Sequence, residues 1–90
     1  MELLVIIDSF NQDPNLGGSI ESMMTEKGWA PNDGFTSAFT KTAEHHSVEE
    51  LEKKIKADVD AATFESEWKN AKYIYIIGEH KPKFAVSPGI

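Results

Sequence analysis

Leu3-Leu4-Val5-Ile6-Ile7-Asp8 is an unbroken apolar run that begins almost at the first residue and ends on a carboxylate. Neighbouring side chains of an extended chain leave on opposite faces, so a run that is apolar throughout has two apolar faces. Such a strand belongs in the middle of a sheet, with both faces covered. The acid that ends it is delivered to the rim of the sheet, where a carboxylate is solvated or binds something.

The elements that follow supply the rest of that sheet. Ser9 to Asn15 is a polar stretch with Pro14 and reads as a loop. Leu16 to Lys27 has helical spacing: Ile20, Met23 and Met24 share a face, Asn15 or Ser19 can cap the start, and Gly28 suits the end. Pro31-Asn32-Asp33-Gly34 is a turn signal between Trp29-Ala30 and the Thr- and Phe-rich segment Phe35 to Thr42. Ser47-Val48-Glu49-Glu50 is a capping box, and Val48, Leu51, Ile55, Val59 and Ala62 then form one apolar stripe. The opposite face carries Glu49–Lys53, Glu50–Lys54 and Glu52–Lys56 as acid-before-base pairs. Thr63 to Ala71 is ambiguous, with Phe64 and Trp68 placed for one further helical turn. Lys72 to Gly78 is a strand, and Lys83-Phe84-Ala85-Val86, set off by Pro82 and Pro88, is a short one.

The order strand, helix, short strand, strand, helix, strand is the split βαβ pattern of an α+β, ferredoxin-like βαββαβ sandwich. Right-handed crossovers place both helices on one face of a four-stranded antiparallel sheet. Leu3, Val5, Leu51, Ile55, Ile74 and Ile76 are the expected core, which turns Tyr73 and Tyr75 onto the open face. Ninety residues form one domain, residues 1–90, with 79–90 as a tail that can be exchanged between subunits of a homodimer.

Composition narrows the function classes. Fifteen acids face nine bases, for a net charge of -6, and every base is a lysine. Arginine is the usual fork for phosphate and base edges, so its absence disfavours nucleic acid and favours a protein partner, a basic one above all. No cysteine is present, which removes disulfides, thiolate metal sites and thiol nucleophiles. The first apolar run is too short to span a membrane and lacks a basic lead-in, so the expected location is the cytoplasm, with no membrane association.

The chain resembles the small ferredoxin-like proteins that include the CRISPR adaptation subunit, the VapD-type toxins and the GhoS-type antitoxin. The residues that carry the resemblance are Val5-Ile6-Ile7-Asp8-Ser9, Lys27-Gly28-Trp29, Ser47-Val48-Glu49-Glu50-Leu51 and Tyr73-Ile74-Tyr75-Ile76-Ile77-Gly78. The resemblance implies that Asp8 can pair with its symmetry mate across a dimer, bind Mg²⁺ and serve as the catalytic acid of a metal-dependent endoribonuclease. Two departures stand against that activity: no arginine follows the first strand, and Asp60 to Ala71 reads as an insertion.

Each candidate residue also has an ordinary structural reading. Asp8 is a metal ligand or general base, or an Asx-turn that ends the strand. His45 and His46, with Glu44 or His80 as a third ligand, would suggest a metal site, but adjacent side chains point apart, and a loop before the Ser47 cap is the better reading. From Asp58 to Glu67 the chain has four acids and no base: Asp58, Asp60, Glu65 and Glu67. They are a docking face for a partner, or simply solvated charge. Tyr73 and Tyr75 on an open sheet face suit a partner or dimer contact, and Phe84 and Val86 a dimer contact. The resulting expectation is a non-catalytic, antitoxin-like or inhibitor-like module that needs no cofactor. The alternative is a ribonuclease that uses Asp8 and Mg²⁺.

Overall fold

The computed structural model describes residues 1–8, 20–32, 38–44, 47–66 and 68–89. The elements are β1 (Glu2–Ile7), α1 (Ile20–Glu26), β2 (Ala30–Pro31), β3 (Ala38–Thr42), α2 (Val48–Glu65), β4 (Lys69–Ile77) and β5 (Lys83–Gly89). Every pairing is antiparallel, in the order β2-β3-β1-β4-β5. The fold is α+β, and β1 is the middle strand that its apolar run requires. The sheet has five strands where the sequence suggested four, because residues 83–89 pair with β4. In the single chain, residues 83–89 fold back along β4. Gly78 at φ +56 and a hydrogen bond from His80 N–H to the Ile77 carbonyl (3.0 Å) reverse the chain tightly enough for that.

Helix α2 starts as the capping box dictates: the Ser47 hydroxyl accepts from the Glu50 N–H at 3.2 Å. Its stripe of Leu51, Ile55, Val59 and Ala62 is buried. The helix ends at Glu65, so Phe64 and Trp68 part company: Phe64 is 59% exposed and Trp68 is buried. Ile20 and Met24 carry the buried face of α1, and Gly28 at φ +92 follows its end. The turn at residues 33–34 and the expected strand start at 35–37 lie outside the described residues, as do residues 16–19.

One core joins the helices to a single face of the sheet: Leu3, Val5 and Ile7 from β1, Phe39 from β3, and Ala71, Tyr73, Tyr75 and Ile77 from β4. The expected frame of β4 is therefore reversed. Tyr73 and Tyr75 are 3% exposed beneath the helices, and Ile74 and Ile76 take the other face, only partly covered. Two features fix this frame. Register pairs Val5 with Tyr75 and Ile7 with Tyr73, so the tyrosines share the face that β1 turns to the helices. The opposite frame would also drive Lys72 under the helices, where an ammonium group loses its water. The second face of β1 is likewise not sealed: Ile6 is 40% exposed, and no described helix packs over it. Among the described residues, no helix is long and apolar enough to cross a membrane.

Candidate functional site

Three exposed large hydrophobic side chains, Ile6, Phe84 and Val86, lie on the open face of the sheet. Register aligns Ala38, Ile6, Ile74 and Phe84 as one apolar row across β3, β1, β4 and β5. Leu4 and Ile76 form the neighbouring row on one side, and Lys72 and Val86 pair on the other. Phe84 is 79% exposed and Val86 56% exposed. Three strands about 4.8 Å apart and three rows about 7 Å apart outline roughly 300 Å² of largely apolar face. A patch of that size on a small monomer is often functional. A shallow groove of about 530 Å³ lies within it, lined by Ile6, Asp8, Lys72, Ile74, Phe84 and Val86 among others.

Asp8 sits where its strand delivers it, exposed at the rim of this groove, with its N–H donating to the Lys72 carbonyl at 2.7 Å. That bond extends the β1–β4 ladder by one step. Groove and rim thus hold one acid and one base at the end of an apolar floor, an arrangement suited to docking. Among the described residues, no three His, Cys, Asp or Glu side chains converge as a metal site. His45 and His46 lie outside the described residues.

Of the three described acids in the run Asp58 to Glu67, Asp58 stands apart from Asp60 and Glu65. Asp58 points toward β3: it accepts from Trp29 Nε1 at 3.0 Å and lies 3.9 Å from Lys41 Nζ. The same ammonium donates to the Lys27 carbonyl at 2.9 Å and stands 5.7 Å from the centroid of the Trp29 ring. Asp58 therefore locks α2 to the α1–β2–β3 side of the molecule. Glu65 pairs with Lys27 at 3.8 Å. Asp60 is exposed and shares a shallow groove with Glu65, Phe64, Ser87 and Pro88. Glu67 lies outside the described residues. Helical geometry explains the dispersal, since residues two apart on a helix stand about 200° apart.

Tyr73 and Tyr75 belong to the core and not to a contact surface, with ring centroids 6.1 Å apart. The Tyr75 hydroxyl reaches the edge of the helix layer and donates to Glu52 Oε2 at 2.6 Å, while Lys83 Nζ donates to Glu52 Oε1 at 3.1 Å. Burial first, and then the bond to Glu52, push the Tyr75 phenol up to about 12. Burial, with Asp60 nearby, does the same to Tyr73. The Tyr75 hydroxyl, followed by Lys83, holds the Glu52 carboxyl below its usual range. Sequence reasoning paired Glu52 with Lys56 along the helix and missed this link between α2, β4 and β5. It also missed Ile6, Ile74 and Ile76 as surface residues, although the position of Lys72 in the same frame was a usable signal.

Comparison with protein-family models, curated proteins and solved structures returned no significant match.

Proposed function

We propose that this chain is a non-catalytic interaction module, antitoxin-like or inhibitor-like, that docks a protein partner on the open face of its sheet. The observation that carries this reading is the apolar row Ile6–Ile74–Phe84, which ends in a phenylalanine 79% exposed. Aromatic anchors of this kind supply much of the binding energy of protein interfaces. With a net charge of -6 and no arginine, the chain suits a partner that has an apolar docking patch in a basic surround. The strand order β2-β3-β1-β4 supports a ferredoxin-like core, which β5 then extends. The resemblance to the small CRISPR-associated, VapD and GhoS-type proteins is consistent with that core, and fold alone would not carry nuclease activity. The groove that places Asp8 beside Lys72 offers the partner one charge of each sign at the rim of its apolar floor.

A cleavage assay separates this reading from catalysis. The purified chain, incubated with single-stranded RNA and Mg²⁺, should leave the RNA intact. Cleavage by the wild type that disappears in Asp8→Asn, with the melting temperature unchanged, would establish the ribonuclease in its place.

A further inference from the structure

Strand β5 is the edge of the sheet, and α2 runs beside it. Glu52, near the start of the helix, bonds Lys83 at the start of the strand. Thr63, near the end of the helix, shares a 2.7 Å hydrogen bond with Ser87 near the end of the strand. Helix and strand thus run in the same direction, and Ala85 lies level with the midpoint between those two helix residues, near residues 57–58. Toward this edge the helix presents Glu52, Lys56 and Asp60 at four-residue intervals, a stripe that alternates acid, base, acid.

We infer that this edge is the contact of a two-fold homodimer, in which β5 pairs antiparallel with β5 of a second copy and α2 packs beside its mate. A register centred on Ala85 sets Phe84 opposite the partner's Val86, an aromatic–β-branched pair on the open face. It also sets Pro82 opposite the partner's Pro88, so residues without an N–H bound the ladder at both ends. The same axis, level with residues 57–58, sets Lys56 opposite the partner's Asp60, and symmetry repeats the pair.

The spacing of the layers agrees. Helix α2 packs over both β4 and β5. Its axis therefore stands about half a strand spacing, ~2.4 Å, inside β5, and a new pairing ~4.8 Å wide leaves ~9.6 Å between the two helices. That is a normal distance for packed helices. The edge is ~23 Å long and ~20 Å deep through sheet and helix, about 460 Å² against the ~800 Å² per partner of a standard interface. An edge of that size suits a weak, reversible dimer. A second copy fits better than a basic protein, because at this register each Lys56 meets the partner's Asp60. This contact shares Phe84 and Val86 with the open face but rests on the β5 edge and the α2 charges, not on the docking role of that face.

Sedimentation equilibrium across the micromolar range tests it, with circular dichroism confirming that each variant folds. The wild type should dimerise. Asp60→Lys should weaken the dimer roughly tenfold, although it takes the net charge from -6 to -4 and so reduces long-range repulsion. Adding Lys56→Glu in the same chain returns the net charge to -6 and should restore association. A wild type that stays monomeric overturns the proposal. So does a dimer that ignores Asp60→Lys, one that the second substitution fails to restore, or one broken instead by Ile76→Lys on the sheet face.

Discussion

Truncating Tyr73 and Ile74 separately, each to alanine, tests the frame of β4, on which the identity of the open face depends. Tyr73 is 3% exposed and stands opposite Ile7 and Ala85, inside the core. A buried aromatic side chain removes about 150 to 250 Å² from water, and at ~25 cal/mol per Å² that is about 4 to 6 kcal/mol as an upper bound. Measured truncations of buried aromatics cost about 3 to 5 kcal/mol. A domain of this length has a total stability of roughly 5 to 13 kcal/mol, so Tyr73→Ala should remove a large part of it. Ile74 is only half-buried and faces outward, so Ile74→Ala should cost about 1 kcal/mol or less. Urea unfolding followed by far-ultraviolet circular dichroism reads both, and an unchanged m value would show that the loss is one of stability. Equal costs, or a larger cost at Ile74, would refute the frame and return the tyrosines to the open face.

Titration gives further tests of the same packing. The chain has only two tyrosines, so absorbance at tyrosinate wavelengths reports Tyr73 and Tyr75 alone: both should ionise near 12 in the folded protein and near the usual 10 in urea. Because folding raises these values, the stability they contribute is complete below pH ~10 and is lost as pH rises toward 12; a folded-state transition at 10 would show the rings in water. Glu52 has the opposite sign: its folded value lies below the usual 4.5, so its contribution is present above that pH and fades on further acidification. Glu52→Gln should flatten that acid limb in pH-dependent urea melts, and an unchanged limb would remove the Tyr75–Glu52–Lys83 link from the account.

Elements were legible where local chemistry and periodicity agree. Ser47 caps a helix because its hydroxyl replaces a missing acceptor for the first turn, and the Leu51–Ile55–Val59 stripe follows from helical spacing alone. The central place of β1 followed from its two apolar faces. The face of β4 was harder to read, because Tyr and Ile both suit a strand interior and alternation leaves two frames equally apolar. Lys72 breaks that tie only when the cost of burying its charge is weighed. The return of β5 to its own sheet depends on the turn at Gly78, and chain exchange would preserve the same strand pattern. Asp8 was placed at the sheet rim by strand length, whereas Asp58 acquired its role from Trp29 and Lys41, which are distant in sequence.

The most direct measurement of the central claim is site-specific photocrosslinking in the host cell. A photoreactive side chain would replace Ile76 or Ile6 on the open sheet face, both away from the β5 edge, or, as a control, Lys54 on the exposed back of α2. The account predicts one discrete adduct, to a basic protein, from both sheet positions and none from position 54. Equal labelling from all three positions, or no adduct from the sheet face, would contradict it.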